Sequence, residues 1–162
     1  MLLGKLCNSA TALAVVAATR FAGCAGTQTT SPASPGVRHL GDAGACQADV
    51  DEAAVAACGW LWENRPEAKE WEYCGVLYLD EKTGDILVGL PERGSRPWQC
   101  FPADPPAGTI LLGRYHNHRF TLEPSSVDRR IAAAEPQLSN YVCGPSGAVR
   151  RFGPREGSVN VR

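Results

Sequence analysis

Apolar side chains recur at spacings of three and four residues along DVDEAAVAACGWLWEN, residues 49–64. This spacing puts the apolar positions on one face of a helix, and the early carboxylates suit a helix amino terminus. The positions on this face are Val50, Ala54, Ala57, Cys58 and Leu61. The pattern therefore predicts an amphipathic helix from Asp49 to Asn64, which Arg65-Pro66 ends.

The next apolar segments have the composition of strands. The run WEYCGVLYL, Trp71–Leu79, is rich in aromatic and branched residues, and Ile86–Leu90 follows after the turn sequence DEKTG. Two such runs joined by a short polar turn predict a β-hairpin. Five prolines then fall between Pro91 and Gly108, which predicts a long loop.

A strand and a helix are predicted after this loop. The run TILLGRYH, Thr109–His116, has the pattern of a buried strand, and Asn117–Pro124 has that of another loop. Ser125–Glu135 then predicts a short helix that Pro136 ends.

Two short apolar runs, Asn140–Cys143 and Ala148–Phe152, complete the pattern, and the turn sequence GPSG joins them. They predict a second hairpin. The order of one helix, three strands, one helix and two strands predicts a sheet with two packed helices, that is, an α+β or three-layer domain.

The first 24 residues have the pattern of an export signal. Lys5 precedes an apolar run, Leu6–Ala18, that is too short for a permanent membrane span. The end of this segment, FAGC, resembles the bacterial lipobox, in which a lipidated cysteine becomes the mature amino terminus. We predict a signal peptide over residues 1–24 and lipidation of Cys24, hence a membrane-anchored lipoprotein on the periplasmic or outer-membrane face. A soluble exported protein and a misread internal start are the alternatives.

Residues 25–44 are rich in Thr, Ser, Pro, Gly and Ala, which predicts a flexible linker. Residues 45–162 then form the folded domain. A length of 162 residues with 44% hydrophobic content leaves room for one domain of average size.

Five cysteines remain once Cys7 and Cys24 are assigned to the export signal. An exported compartment permits disulfides, and five cysteines form at most two bridges among themselves. The sequence leaves their connectivity open, and the lack of a C-x-x-C motif disfavours a cysteine zinc site. The five are Cys46, Cys58, Cys74, Cys100 and Cys143.

Charge composition bears on the partner. Sixteen basic and seventeen acidic side chains give a formal net charge of -1, which argues against nucleic acid and leaves a protein, a peptide or a small molecule. The oligomeric state stays open. The tryptophans could line a substrate groove, but in a small domain they are more often core residues, so we assign them no function. They are Trp60, Trp62, Trp71 and Trp98.

Candidate chemistry is concentrated in RYHNHRFTLEPSSVDRR, residues 114–130. Residues two apart in an extended segment point to the same side, so His116 and His118 can direct both imidazoles at one metal ion. If Ser125 caps the following helix, Asp128 lies in its first turn and can add a carboxylate. Two histidines and one carboxylate leave one position of a tetrahedral Zn2+ open, as a catalytic site requires.

A purely structural interpretation competes with this one. Ser-x-x-Asp resembles a capping box, in which Ser125 and Asp128 only satisfy backbone amides. A His-x-His sequence at a strand end can also be two solvated imidazoles. Each feature alone favours the structural interpretation, but their coincidence within thirteen residues, in a chain with one other histidine, favours a metal site.

A further residue completes a known motif. Glu72 precedes Cys74-Gly75 at the start of the first predicted strand. With His-x-His and Ser-x-x-Asp, it resembles the JAMM motif of the JAB/MPN zinc metallopeptidase domains, and especially uncharacterised bacterial JAB-like domains. The resemblance covers about Asp49 to Phe152. It implies an α+β, JAB/MPN-like fold, in which two or more helices pack on a mixed β-sheet in three layers, similar to that of cytidine deaminases.

The resemblance implies a role for each matched residue. Glu72 corresponds to the catalytic glutamate of the family, and Ser125 to the serine that stabilises the oxyanion. His116, His118 and Asp128 correspond to the Zn2+ ligands.

Three departures from the family pattern are expected to lie in the rim loop and not among the ligand types. Asn117 and Arg119 stand where the family usually has Ser or Thr and Pro, and the gap from His118 to Ser125 is one residue shorter than the commonest spacing.

The implied function is zinc-dependent hydrolysis of amide bonds by a peptidase or isopeptidase tethered in the bacterial cell envelope. A protein or peptide is the expected substrate. The alternative is a non-catalytic JAB-like module that binds a peptide or partner there. A cytidine deaminase, which would need H-x-E together with P-C-x-x-C, is excluded because the cysteine motif is missing. The literal letters HNH, without a basic surface, do not indicate a nuclease.

Overall fold

The computed structural model describes residues 45–154 and 157–162. The predicted export signal, the lipidation of Cys24 and the linker over residues 25–44 therefore lie outside the described residues. Among the residues described, no helix combines the length and the apolar character needed to cross a membrane.

The first helix, α1, spans Gln47–Asn64 and begins two residues earlier than predicted. Its five predicted inner positions, Val50, Ala54, Ala57, Cys58 and Leu61, are all buried. A 3-10 helix that was not predicted, Pro66–Lys69, follows at once. Proline is tolerated in the first turn because it lacks only an N–H that would have no helical partner there.

The described residues contribute seven strands to one mixed sheet. They are β1 (Tyr73–Asp80), β2 (Ile86–Val88), β3 (Glu92–Arg93), β4 (Thr109–Asn117), β5 (Ser139–Cys143), β6 (Val149–Gly153) and β7 (Gly157–Asn160). The sheet order is β2-β1-β4-β5-β6-β7, and β3 also pairs with β1. All these pairs are antiparallel except β4 with β5, which confirms the α+β class.

Two of these strands were not predicted. β3 lies inside the segment predicted as a loop, and β7 follows the second hairpin. β3 has only two residues, and all residues of both strands are exposed, so neither carries the alternating burial that marks a strand in sequence.

The second helix, α2, spans Ser126–Ala134 and lies between β4 and β5. Because β4 and β5 run parallel, the chain must cross from the end of one to the start of the other, and α2 belongs to this crossover. The loop from β4 and the amino terminus of α2 therefore meet at the carboxyl edge of the parallel pair.

The two helices pack on opposite faces of the sheet. Tyr141 and Cys143 on β5 belong to the cluster with α1, whereas Val142 between them packs with Ala132 of α2. This is the alternation of side chains expected along a strand. Even-numbered residues at the end of β4 consequently face α2, and Tyr115 faces α1.

Two disulfides join distant parts of the described residues. Cys58 on α1 is bonded to Cys143 at the end of β5, which links the helix to the sheet. Cys74 on β1 is bonded to Cys100 in the loop over residues 94–108. The second bridge holds this loop close to the start of β1, where Glu72 lies.

Candidate metal centre

The two histidines of the His-x-His motif lie at the end of β4. His116 is within the strand and 9% exposed, and His118 is the first residue after the strand ends. Both rings are on the α2 side of the sheet, and their Nε2 atoms lie 3.1 Å apart. The motif therefore directs two nitrogen atoms at one point, as the spacing predicted.

The amino terminus of α2 brings the carboxylate. Ser125 is the N-cap: its Oγ accepts from the backbone N–H of Asp128 at 3.2 Å, and Oδ2 of Asp128 accepts from the N–H of Ser125 at 2.6 Å. This is a capping box, so the structural interpretation of these residues is correct as far as the backbone is concerned. The reciprocal bonds fix the direction of the Asp128 side chain.

The same carboxylate faces both imidazoles. Oδ1 of Asp128 lies 3.5 Å from Nε2 of His116, and Oδ2 lies 3.5 Å from Nε2 of His118. Capping and metal binding are therefore compatible roles for Asp128. One cap orients the carboxylate, and its oxygens remain directed at the two nitrogen atoms.

The three side chains fit a zinc ion by their spacing. Tetrahedral zinc with bonds of about 2.0–2.1 Å separates its ligand atoms by roughly 3.3 Å. The separations between Nε2 atoms, 3.1 Å, and from nitrogen to oxygen, 3.5 Å, lie on either side of this value. His116, His118 and Asp128 form a group that could hold a metal ion, and the part of the chain that the structure describes supplies these three ligands to it.

The electrostatics of these groups reflect their proximity. Burial raises the pKa of Asp128, but the contacts with His116 and His118 outweigh it and hold this pKa well below its usual range. Burial lowers the pKa of His118, whereas Asp128, Glu72 and the Glu123 backbone raise it above its ordinary value. Nδ1 of His118 is buried, and it does not reach normal hydrogen-bond geometry with any described residue.

Glu72 lies immediately before β1 and lines two adjoining pockets together with Asp128; His116 lines one of these pockets and His118 the other. Cys74, two residues later, pairs with His116 in the sheet, so strand alternation brings Glu72 to the side that carries the imidazoles. Burial raises the pKa of Glu72, and the charges of His116 and His118 oppose this rise. A carboxylate with a raised pKa is suited to take up and release a proton near neutral pH.

Asn117 fastens the Glu72 segment to the histidine strand. It lies between the histidines, points to the opposite face and is 1% exposed. Its Oδ1 accepts from the N–H of Tyr73 at 2.6 Å, and its Nδ2 donates to the carbonyls of Trp71 at 3.1 Å and Ala68 at 2.8 Å. Two of these partners flank Glu72, so one side chain sets the position of Glu72 relative to the histidines.

The prediction that placed Asn117 in a rim loop is wrong, because Asn117 is the last residue of β4 and is buried. Its contacts were also missed in the sequence. Strand alternation could have predicted the direction of its side chain, because a residue between two histidines on one face of a strand points to the other face. There a buried amide needs hydrogen-bond partners, although the sequence does not say which groups supply them.

Ser125 and a tryptophan complete the surroundings of the cleft. Ser125 is exposed and lines the cleft together with Glu72 and His118. Trp98 also lines it and is 68% exposed, so its interpretation as a core residue was wrong. Trp62 and Trp71 do pack against the core, partly buried.

Neither models of known protein families nor curated proteins match this chain. What the site can do chemically follows from its own residues. Three side chains of the types that zinc prefers, a partly buried carboxylate and a hydroxyl line two adjoining pockets that have Glu72 and Asp128 in common.

Proposed function

We propose that this protein is a zinc-dependent hydrolase of amide bonds, a peptidase or isopeptidase of the JAB/MPN type. The observation that carries the proposal is the convergence of His116, His118 and Asp128 at the spacing of zinc ligands, with Glu72 in the same cleft. A mixed sheet with helices on both faces is compatible with the three-layer, cytidine-deaminase-like arrangement that the motif implies.

His116 and His118 would hold the ion through Nε2, and Asp128 through its carboxylate. When bound, zinc supplies Lewis acidity: it polarises a carbonyl and lowers the pKa of water from about 15.7 to about 7. Three protein ligands leave a position for water or substrate, which distinguishes catalytic from structural sites.

Glu72 is the general base in this proposal. It takes the proton of the attacking water and passes it to the leaving amine, and the rise of its pKa through burial suits both steps. Ser125 donates a hydrogen bond to the oxyanion. Its Oγ accepts a hydrogen bond in the capping box, so the hydroxyl hydrogen remains available for donation.

The amino-terminal pattern supports a location outside the cytoplasm, with Cys24 as a lipid anchor. The proposed substrate is a protein or peptide. A non-catalytic module that retains the ligands and binds a peptide there is the alternative. Both keep His116, His118 and Asp128, so turnover distinguishes them.

The test compares the zinc-loaded parent with Glu72→Gln. The substitution keeps the size of the side chain and removes the carboxylate, so zinc content and melting temperature stay close to the parent while peptide hydrolysis falls about 10²- to 10⁴-fold. Glu70→Gln, an exposed glutamate two residues away, is the matched control and retains full activity.

Three results would contradict the mechanism or the function. Loss of zinc from Glu72→Gln would make this residue a ligand, and full activity in it would remove the general base. A zinc-loaded parent that hydrolyses no member of a broad peptide library would favour the binding module.

A further inference from the structure

Large exposed apolar side chains are concentrated around the candidate metal centre. Eight occur among the residues that the structure describes, and five of them line the cleft that contains Glu72, His118 and Asp128. Single exposed apolar side chains are ordinary on a protein surface, whereas a contiguous group marks a binding site. The five are Trp98, Phe101, Phe120, Val127 and Ile131.

Three separate segments supply these side chains. Trp98 and Phe101 come from the loop over residues 94–108, and Phe120 comes from the loop after the histidines. Val127 and Ile131 are four residues apart on α2, so they lie on one face of the helix. Asp128 lies three residues before Ile131, so the helix presents its carboxylate and its apolar side chains to the same cleft.

Covalent and stacking contacts hold two of the walls. Cys100, between Trp98 and Phe101, is bonded to Cys74 on β1, and its sulfur lies 3.8 Å from Oε1 of Glu72. Because this sulfur is in a disulfide, it carries no proton and the contact is not a hydrogen bond, so it is the covalent bridge that holds this wall next to Glu72. On the other wall, the guanidinium of Arg119 lies 5.1 Å from the centre of the Phe120 ring.

We infer that this cleft is a subsite for one large apolar side chain, aromatic or leucine-like, of a peptide substrate next to the scissile amide. The inference rests on the proposed function, because a substrate side chain bound next to Glu72 and the zinc ligands lies beside the bond that these residues would cleave. The cleft volume of about 540 Å³ is within the range of about 300–1,000 Å³ that is usual for pockets of whole ligands, so the cleft has room for one large side chain together with the peptide backbone beside it.

The first experiment uses the full-length, zinc-loaded protein and fluorogenic peptides in which each position around the cleaved bond is varied. At one position Phe or Leu gives kcat/KM about 10- to 100-fold above Gly or Asp, the gain typical of an apolar pocket. Trp98→Ser and Val127→Ser reduce this preference, while zinc content stays close to the parent.

Val159→Ser is the matched control. Val159 is 42% exposed and Val127 is 46% exposed, but Val159 is on β7 outside the cleft, so this variant keeps the preference. A preference that survives Trp98→Ser and Val127→Ser, or equal rates for Phe, Gly and Asp at every position, would overturn the inference.

Binding separates this inference from the proposed function. Fluorescence anisotropy of labelled peptides on zinc-loaded Glu72→Gln should show tighter binding of Phe peptides than Gly peptides, and Trp98→Ser should remove the difference. If this binding preference is found but the parent protein hydrolyses no peptide, the subsite is supported and the proposed hydrolase activity is refuted. Equal binding of both peptides would refute the subsite. A parent protein that is a dimer and that Trp98→Ser dissociates would also refute it, because the apolar surface would then be an interface with a second copy of the chain.

Discussion

Replacement of Asn117 with alanine is expected to lower stability more than most single substitutions. The change removes an acceptor from the N–H of Tyr73 and a donor from the carbonyls of Ala68 and Trp71. The bonds to Tyr73 and Ala68 are buried, so bulk solvent does not reach the two groups that lose their partner.

The magnitude follows from these three contacts. A buried polar group left without a partner costs about 1–3 kcal/mol. Two buried groups and a third nearer to solvent therefore cost about 3–5 kcal/mol, a large part of the roughly 5–15 kcal/mol by which domains are stable. Hydrolysis should fall as well, since displacement of a catalytic group by about 1 Å can cost about 10²-fold.

The free energy of unfolding is measured by urea titration with tryptophan fluorescence, and zinc content and hydrolysis are measured without urea. Asn140→Ala is the control because Asn140 is similarly buried, at 4% exposed, but makes a single bond of 3.2 Å to the Leu138 carbonyl. Its expected cost is about 1 kcal/mol. If Asn117→Ala costs no more than Asn140→Ala, the role assigned to Asn117 is wrong.

Three further outcomes are expected. Burial raises the pKa of Tyr115 and Tyr141 above the ordinary 10.0, so the folded state holds protons that the unfolded chain releases. The urea midpoint of unfolding should therefore fall as the pH rises above 10. A midpoint that does not change with pH, or a fall that persists when both tyrosines are replaced by Phe, would contradict this. Replacing Cys58 and Cys143 with Ala opens a bridge of sequence separation 85 and should cost about 4–5 kcal/mol in the same titration; a cost below 1 kcal/mol would show that the bridge does not restrict the unfolded chain. Cys24→Ala should release the protein from the membrane fraction and block lipid labelling, and unchanged membrane association would refute the lipobox interpretation.

Local patterns in the sequence predicted much of this structure. The five apolar positions of α1 are all buried because helical spacing alone decides which side chains share a face. His116 and His118 meet for a similar reason, since strand alternation is also local. Ser125 and Asp128 form the predicted cap because that contact lies within one helical turn.

Contacts between distant residues could not be predicted in this way. The parallel pairing of β4 with β5 and the bridge from Cys74 to Cys100 depend on the whole fold, and spacing does not encode them. Trp98 was wrongly interpreted as a core residue because its exposure depends on where the loop over residues 94–108 is fastened. The partners of Asn117 were missed because they come from residues far away in the chain.

The most direct test of a catalytic zinc site is the metal content of the purified full-length protein, measured by mass spectrometry after dialysis without chelators. The parent should bind about one zinc ion per chain, and replacing both His116 and His118 with alanine should abolish this binding, because only one ligand of the group remains. His39→Ala, which changes the third histidine of the chain, is the control and should bind as much zinc as the parent. A parent without zinc, or unchanged zinc in the double variant, would contradict the assignment of the metal to His116, His118 and Asp128.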